Sequence, residues 1–352
     1  MVIVRTPLRV SLLGGTSDYP AWVELNGGGT VLSATIDKYV YTTCRYLPPF
    51  FEHRGRIVWS EIELVKSVPE IHNPIVRECL RFCGAREGVE IHYDADLPAR
   101  SGLGSSSAFA VGLLHALYGL QGKMPSKRRL ALDAIYVERE RAGAVVGSQD
   151  QVAASYGGLN RIDFYPGGDF AVRPVTLAPE ALAALEGRLM LFYTGAARSA
   201  SEVAREQVAD AERNRAQVRA LRDMAADAAS NLASGNLSAI GEMLHESWKL
   251  KRGLGSSVGT SAADLIYGKA LAAGATGGKL VGAGGGGFFL LFAPPERQED
   301  VRAALTGFLE VPFRFESDGS RVIYYAPDGE QGDGAVAYRG EPWATACGSG
   351  MN

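Results

Sequence analysis

The sequence reads Leu97-Pro98-Ala99-Arg100-Ser101-Gly102-Leu103-Gly104-Ser105-Ser106-Ser107-Ala108 where a glycine-bearing turn runs into an apolar helix. Gly102 and Gly104 let backbone N–H groups approach an anion closely, because glycine adopts conformations that a side chain would obstruct. The helix predicted from about Ser105 to Tyr118 directs its unpaired amides and the positive end of its dipole to the same point. The pattern is typical of a phosphate-binding turn, and it is equally compatible with an ordinary helix cap.

Two further glycine-rich segments flank this turn in the chain. The first runs Pro7-Leu8-Arg9-Val10-Ser11-Leu12-Leu13-Gly14-Gly15-Thr16-Ser17-Asp18-Tyr19, where an alternating strand leads into a Gly-Gly turn that carries an aspartate. The second runs Lys279-Leu280-Val281-Gly282-Ala283-Gly284-Gly285-Gly286-Gly287-Phe288-Phe289-Leu290. In this order the three segments resemble the three signature motifs of the GHMP kinases (galactokinase, homoserine kinase, mevalonate kinase and phosphomevalonate kinase).

The resemblance continues at residues 33–40, 147–151 and 193–199, so it covers the chain from residue 3 to about residue 325. Within the family it is strongest to the bacterial kinases of D-glycero-D-manno-heptose 7-phosphate. It implies an α+β protein with the two-domain GHMP kinase fold, in which the N-terminal domain is similar to ribosomal protein S5 domain 2 and the C-terminal domain is ferredoxin-like. Pattern alone indicates two α+β domains.

Length and composition agree with two domains. A chain of 352 residues is long for a single core, and 46% hydrophobic residues are enough to bury two. A net charge of only −3, with interleaved charged residues, argues against a nucleic-acid partner. We expect residues 1–186 to form the N-terminal domain, residues 187–326 the C-terminal domain, and residues 327–352 a weakly ordered tail.

The cysteines and the apolar runs indicate a compartment. The four cysteines lack the paired short spacings of a zinc site and are too few for a disulfide scaffold in a chain of this length. The first residues show no signal-peptide pattern, and the longest apolar run, residues 280–294, is interrupted by glycines and too short to span a bilayer. We expect a cytoplasmic monomer or homodimer that acts on a small molecule, without a membrane or nucleic-acid partner.

Hydrophobic periodicity predicts the main elements. In the first domain it predicts strands over residues 2–13, 30–45, 56–59 and 88–95, and helices over residues 73–82, 105–119 and 126–142. Further strands are predicted within residues 158–175. In the second domain a strand over residues 189–193 precedes helices over residues 199–234 (interrupted), 236–252 and 261–273. The chain then closes with a strand at 287–293, a helix at 297–309 and strands at 313–317 and 321–326, interpreted as β-α-β-β around a small sheet.

Phosphoryl transfer requires a nucleotide site, a metal, a proton acceptor and groups that bind the acceptor molecule. No G-x-x-x-x-G-K-[ST] pattern occurs in the sequence, so a Walker-type nucleotide site is excluded. The phosphate-binding turn takes its place. The residues expected to bind ATP are Pro98, Gly102, Leu103, Gly104, Ser105, Ser106 and Ser107.

Hard oxygen ligands for Mg²⁺ are expected from Ser106 and from a carboxylate on the helix at 126–142. The resemblance places a glutamate some ten to twelve residues before the catalytic aspartate, and both Glu138 and Glu140 lie in that window. Two positions apart on a helix, they face apart and cannot both point into one site. We favour Glu138, while a solvated charged face remains the alternative interpretation of this run.

Asp150 is the expected catalytic base, because a carboxylate there can accept a proton from an attacking hydroxyl. The sequence alone favours an N-cap for a helix beginning at Gln151, and it is the resemblance to galactokinase and mevalonate kinase that implies the catalytic role. An arginine within a buried strand needs an anionic partner, and the resemblance to galactokinases implies that Arg9 orients Asp150 and stabilises charge near the acceptor. A surface charge on an edge strand is the alternative for Arg9.

The acceptor is expected to contact Asp18, which is similar to a sugar-binding residue of sugar-specific family members, although an aspartate is also ordinary in a turn. The remaining residues expected to bind substrate are Gly14, Gly15, Thr16, Arg198 and Gly285. Arg198 is one candidate for binding a phosphate of the acceptor, and Lys251 and Arg252 are others. The glycines at 284–287 are expected to pack against the phosphate-binding turn. None of the tryptophans is assigned to adenine.

These expectations combine into an ATP- and Mg²⁺-dependent kinase of the anomeric hydroxyl of a heptose 7-phosphate, which gives the 1,7-bisphosphate. One alternative is a GHMP kinase for another sugar, such as fucose or galactose. A second is a catalytically silent sensor that binds sugar and ATP on the same fold. Because Ser105 to Ser107, Arg9 and Asp150 are all present, the sequence favours an enzyme.

Overall fold

The computed structural model describes residues 1–48, 50–85, 88–99, 101–195, 200–209 and 212–326. The predicted tail at 327–352 lies outside the described residues. The strands are β1 (Val2–Leu13), β2 (Gly29–Tyr46), β3 (Gly55–Val58), β4 (Ile62–Val65), β5 (Val89–Ala95), β6 (Leu159–Phe164), β7 (Phe170–Pro174), β8 (Leu189–Tyr193), β9 (Gly277–Leu280), β10 (Phe288–Phe292), β11 (Leu309–Glu310) and β12 (Arg321–Tyr325). The helices are α1 (Pro20–Asn26), α2 (Pro74–Cys83), α3 (Ser105–Leu120), α4 (Lys127–Tyr136), α5 (Gln149–Tyr156), α6 (Pro179–Glu186), α7 (Ala200–Ala209), α8 (Arg215–Ala233), α9 (Leu237–Arg252), α10 (Ser261–Ala272) and α11 (Gln298–Ala304).

The large sheet is organised around the long strand β2. One side of β2 pairs antiparallel with β1 along most of its length. On the other side its first part pairs with β6 and its second part with β5. The strand order is β12-β1-β2-β5-β3-β4, and β6 and β7 extend the sheet from the first part of β2. From Thr6 onward β1 is buried on both faces, and both α3 and α8 pack against β1 and β2.

The small sheet has the order β11-β8-β10-β9, with every pair antiparallel. In chain order its strands are therefore arranged 4-1-3-2. Helices α7 to α10 connect its first two strands, a glycine-rich loop joins β9 to β10, and α11 leads to β11. This β-α-β-β-α-β connectivity confirms the expected ferredoxin-like C-terminal domain.

The two sheets share one continuous hydrophobic core. Leu191 and Leu290 of the small sheet belong to the same buried cluster as Leu12 and Leu32 of the large sheet. Ala225 on α8 belongs to this cluster as well. The loops of both sheets are therefore held in a fixed relation to one another. Among the described helices, none is long and apolar enough to cross a membrane.

The interpretation of the closing elements was wrong. The strand predicted at 321–326 forms, but it pairs antiparallel with β1 in the large sheet. Residues 313–317 make only an isolated bridge, between Ile36 and Phe315, and the small sheet ends with the short β11. The outer edge of β1 carries unpaired backbone groups that need a partner, and β12 supplies one. The predicted helix at 297–309 ends early, before Gly307, whose φ is +101°.

Candidate active site

A cavity of about 470 Å³ opens between the turn at residues 101–107, the start of α5 and the glycine-rich loop between β9 and β10. Its lining has two chemically different parts. The part that we call the charged wall consists of Arg9, Asp18, Asp150, Lys251 and Lys279. The part that we call the apolar wall consists of Trp59, Ile75, Tyr93 and Phe109.

The turn at residues 101–107 presents the first turn of α3 to this cavity. Gly102 and Gly104 have left-handed backbones, with φ of +82° and +78°. No side chain caps α3, so the first amides of the helix have no partner within it. Together with Ser105, Ser106 and Ser107, both glycines line the cavity. The arrangement is that of an anion site at a helix N-terminus.

The glycine-rich loop closes the back of this turn by backbone contact. A Cβ on Gly102 would lie 2.3 Å from the carbonyl oxygen of Val281, and one on Gly282 would lie 2.5 Å from the Cα of Gly102. A Cβ on Gly287 would lie 2.2 Å from the carbonyl oxygen of Ser101. Side chains at these positions would separate the two segments. The loop therefore shapes the site and supplies no side-chain chemistry there.

Arg9 and Asp150 form an ion pair beside the turn. Nε of Arg9 donates to Oδ1 of Asp150 at 2.8 Å, Nη2 lies 2.7 Å from the same oxygen, and Nη1 donates to the carbonyl of Gly102 at 2.6 Å. Arg9 is 3% exposed, so the interpretation of it as a surface charge was wrong. A Cβ on Gly104 would lie 3.4 Å from the Asp150 carboxylate, which therefore faces the anion site at α3.

Asp150 does not cap a helix. The helix α5 begins at Gln149, and its N-cap is Ser148, so Asp150 lies within the first turn. Its side chain is 25% exposed, whereas that of its partner Arg9 is 4% exposed. The guanidinium is therefore fixed in the protein interior while the carboxylate remains accessible from the cavity.

Asp18 is buried at the base of the cavity and is bound by one neighbour. Its Oδ1 accepts from Nε2 of Gln149 at 2.9 Å, and its Oδ2 accepts from the backbone N of Gln149 at 3.1 Å. Burial and the negative charge of Asp150 raise the pKa of Asp18 to about 6. A Cβ on Gly147 would lie 1.9 Å from Oδ2 of Asp18, so this glycine is required for the close approach.

Glu138 lies against the start of α3. It is completely buried, its Oε1 accepts from the Ser106 hydroxyl at 3.1 Å, and its Oε2 accepts from Nε2 of Gln151 at 2.5 Å. Burial raises the pKa of Glu138 to about 7. Glu140 points away, with its side chain 61% exposed beside Arg139. A single π-helical turn, Val137–Arg141, follows α4 and carries both glutamates.

Comparison with known proteins shows the family of this chain. The model of the GHMP kinases N terminal domain matches residues 70–158, and that of the GHMP kinases C terminal domain matches residues 228–311. The mevalonate kinase of Pyrococcus horikoshii is 30% identical over 251 residues, which are 67% of this chain and 69% of that protein. The chain belongs to the GHMP kinases.

Two further relatives span nearly the whole of this GHMP kinase. The D-glycero-alpha-D-manno-heptose 7-phosphate kinase of Campylobacter jejuni is 28% identical in an alignment 340 positions long, which covers 90% of this chain and 96% of that protein. The crystal structure of a D-glycero-D-manno-heptose 1-phosphate kinase from Bacteroides thetaiotaomicron matches with a TM-score of 0.76 and 25% identity, covering 93% of this chain and 100% of that chain. The protein is therefore a phosphotransferase with an alcohol group as acceptor.

Several residues expected at the site of this GHMP kinase do not line the cavity. The side chain of Leu103 is buried in the core, and its carbonyl accepts from the backbone N of Arg9 at 3.0 Å. Pro98 is exposed outside the cavity. The backbone N of Gly285 donates to the carbonyl of Val258 at 3.0 Å, so this amide serves the loop.

In the Gly-Gly turn, too, some of the expected residues line the cavity and others do not. A Cβ on Gly14 would lie 2.0 Å from the carbonyl of Thr30, so Gly14 packs below the cavity. Gly15 and Thr16 line the cavity. Thr16 is the one non-glycine residue with a positive φ, +86°, in the part of the chain that the structure describes. Arg198, the remaining residue expected to bind substrate, lies outside the described residues.

Sequence reasoning left Lys279 and the apolar wall unassigned. Lys279 is 2% exposed although it carries an ammonium group, and the signal was a lysine between glycines and an apolar run in the third glycine-rich segment. The apolar wall gathers residues from the β3–β4 connection, α2, β5 and α3, which no local pattern links. Lys251, named as a candidate, lines the cavity, whereas Arg252 pairs with Asp264 on the surface at 3.0 Å.

Proposed function

We propose that this GHMP kinase transfers the γ-phosphoryl group of ATP to the anomeric hydroxyl of D-glycero-D-manno-heptose 7-phosphate and releases the 1,7-bisphosphate. The observation that carries the proposal is the Asp150 carboxylate, held by Arg9 next to the uncapped start of α3. This arrangement supports a proton acceptor that acts beside a site for polyphosphate. The choice of a heptose rests on the two heptose kinases that match along almost the entire chain.

The nucleotide would lie along the cavity between its two walls. Its phosphates would accept from the amides and hydroxyls of Ser105 to Ser107, where the helix dipole favours negative charge. The adenine would pack on the apolar wall, in which Tyr93 and Phe109 meet edge to face with ring centroids 4.7 Å apart. An aromatic surface next to a phosphate site suits a purine, because stacking is favourable for the face of any base.

Asp150 would accept the proton of the acceptor hydroxyl as that oxygen forms a bond to the γ-phosphorus. The bond between this phosphorus and the bridging oxygen breaks, and ADP leaves with the bond's electron pair. Arg9 would keep the carboxylate in place through its two donors, Nε and Nη2, and would stabilise negative charge near the acceptor. No covalent enzyme intermediate is needed.

Ser106 and Glu138 suit a magnesium ion. Together they supply one hydroxyl and one carboxylate, which are hard oxygen ligands. Glu138 is completely buried, and no lysine or arginine of the described residues pairs with it, so a cation would balance its charge. Bound Mg²⁺ would neutralise charge on the nucleotide phosphates.

Asp18, Gly15 and Thr16 would contact the acceptor sugar, with Asp18 using the lone pairs that Gln149 leaves free.

An ADP-release assay over hexoses, heptoses and their phosphates tests the proposal. We expect the highest kcat/KM with D-glycero-D-manno-heptose 7-phosphate, and phosphorus NMR of the product should show a new phosphate on C1. The two heptose kinases are named for different positions of the substrate phosphate, C7 and C1, so the assay includes the 1-phosphate as well. If a hexose gives a higher kcat/KM than the heptose, the hexose is the substrate. If no sugar leads to the release of ADP, the result favours the catalytically silent sensor.

A further inference from the structure

Two lysines of the charged wall are buried without an anionic partner. Lys251 on α9 is 3% exposed and Lys279 on β9 is 2% exposed. Lys279 Nζ donates to the carbonyl of Leu12 at 3.1 Å, and Lys251 Nζ donates to the carbonyls of Leu280, at 3.3 Å, and Gly282. Among the described residues, neither ammonium has a carboxylate within 4.0 Å. Burying an ammonium in this way is unfavourable unless an anion binds there.

The surrounding charges increase this imbalance. Burial and the positive charge of Arg9 lower the pKa of Lys251 to about 7. Burial, Lys251 and Arg9 lower the pKa of Lys279 well below its usual value. Of the carboxylates in the described part of the chain, Asp18 acts on both lysines, whereas Asp150 is paired with Arg9. An anion that enters the cavity would favour the charged form of both lysines and so raise their pKa values.

Unpartnered polar atoms converge beside the same lysines. The hydroxyl of Ser11 is buried and has no hydrogen-bond partner, and Nε2 of Gln149 carries one N–H beyond the one that it donates to Asp18. A Cβ on Gly15 would lie 3.3 Å from Ser11 Oγ, 3.8 Å from Gln149 Nε2 and 3.9 Å from Lys279 Nζ. A hydroxyl, an amide and an ammonium thus meet around one point next to Gly15. They could donate together to the oxygens of a phosphate.

The position of this cluster differs from that of the nucleotide phosphates. Ser11 follows Arg9 by two residues on the same face of β1, so it lies about 7 Å farther along the strand. That displacement leads from the reacting centre at Asp150 to the Gly14-Gly15 turn. It is similar to the width of one sugar ring. A sugar with its anomeric hydroxyl at Asp150 could therefore place a distal phosphate near Lys279.

We propose that Lys251 and Lys279, together with Ser11, bind the phosphate group that the acceptor already carries. The enzyme would thereby select a phosphorylated sugar over the same sugar without phosphate. This inference rests on the proposed kinase function and adds the residues that set its substrate class. It assigns the buried lysines to substrate recognition, at a cost in stability to the protein without substrate.

The test compares Lys279→Met and Lys251→Met with the wild type. For heptose 7-phosphate we expect kcat/KM to fall about 10- to 100-fold, the usual effect of losing a charged hydrogen bond. The kcat/KM for the unphosphorylated heptose and the KM for ATP should change by less than about 3-fold, since neither molecule makes the contact between the acceptor phosphate and the lysines. The melting temperature should stay equal or rise, because methionine fills the site without a buried charge. Lys249→Met, on the exposed side of α9, is the matched control.

Three results would overturn the proposal. Equal losses for both acceptors with a lower melting temperature would assign the lysines to folding, and a raised KM for ATP alone would assign them to the nucleotide. A wild-type preference for the neutral heptose would reject the phosphate subsite and leave the kinase intact. If no sugar releases ADP, calorimetric titration with heptose 7-phosphate still decides: binding that Lys279→Met weakens supports the subsite, and no binding rejects it.

Discussion

The charged wall and the apolar wall of the cavity are built by different physics. Hydrogen bonds and ion pairs fix the charged wall, as Arg9 fixes Asp150 and Gln149 fixes Asp18. Packing fixes the apolar wall, where Tyr93 and Phe109 are in contact. A change on the charged wall should therefore alter the chemical step or the acceptor, because directional contacts are lost. A change on the apolar wall should alter affinity for the nucleotide.

Asp150→Asn should have the largest effect, on the charged wall. The amide retains an oxygen that can accept from Arg9, but it cannot take up a proton from the acceptor. We expect kcat to fall about 100- to 10,000-fold, the range for loss of a general base, in the ADP-release assay. Nucleotide binding, measured by calorimetry, should change little.

Asp264→Asn is the matched control, because Asp264 lies on the surface and pairs with Arg252. It should keep wild-type turnover. If Asp150→Asn keeps more than about a tenth of wild-type kcat, a far smaller loss than removal of a general base causes, Asp150 is not the base and the division of roles between the walls loses its main support.

Glu138→Gln should have the next largest effect. The carboxamide offers only a neutral oxygen and therefore binds Mg²⁺ more weakly than the carboxylate, so we expect activity at low Mg²⁺ to fall about 10- to 100-fold and to recover partly as Mg²⁺ is raised. Glu140→Gln is the control, since Glu140 is exposed two residues away. Equal Mg²⁺ dependence in the two variants would exclude Glu138 as the ligand.

These two glutamates show where sequence reasoning reaches its limit. Spacing established that they face apart, but it could not say which faces the site, because the π-helical turn at Val137–Arg141 changes the direction of the side chains. The glycine-bearing turn at 101–107 could be predicted from the sequence, since glycines and a helix start are local signals. Its position in the cavity also agrees with the expectation from the sequence.

Features that depend on contacts between residues far apart in the sequence could not be predicted from the sequence. Lys279 appears in a motif, but its burial follows from α9 and β1 packing over it. The strand β12 was predicted from its alternation, while its partner β1 could be identified only in the folded chain. The short elements α1, β4 and α6 were missed because each is close to the minimum length for a periodic signal.

Trp59→Ala should have a smaller effect, on the apolar wall. Loss of the indole removes packing surface for the adenine, and we expect the KM for ATP to rise about 10-fold, as for loss of one stacking contact. The kcat and the KM for the acceptor should stay within about 2-fold of the wild-type values, because neither the reacting groups nor the acceptor sugar contacts this wall. Trp59→Phe, which keeps an aromatic ring, should recover most of the affinity. A selective loss in kcat would contradict the division.

Asp18→Asn should have the smallest effect of the four changes, and its effect is on stability. The variant should be more stable than the wild type at neutral pH. Because burial raises the pKa of Asp18 from 3.8 to about 6, the folded state holds its proton more tightly than the unfolded state does. The wild type therefore loses stability as pH rises from about 4 to about 6, and the loss persists above that range. The variant has no such dependence. Its amide can also pair with the unpartnered Oε1 of Gln149 after a flip of that side chain.

At pH 7 we expect Asp18→Asn to be more stable by about 1 kcal/mol, because lost charged hydrogen bonds offset part of the gain from removing a buried charge. In thermal unfolding curves the advantage should shrink as pH falls and should have changed sign by pH 4, because protonation of Asp18 restores more stability to the wild type than the variant gains at pH 7. Asp163→Asn is the opposite case: although burial opposes it, hydrogen bonds from Arg161, Thr30 and Arg173 lower the pKa of Asp163. That variant should be less stable than the wild type at pH 7, with a deficit that narrows as pH falls. If Asp18→Asn is less stable than the wild type at pH 7, as Asp163→Asn should be, the buried charge of Asp18 is not an unfavourable feature of this wall.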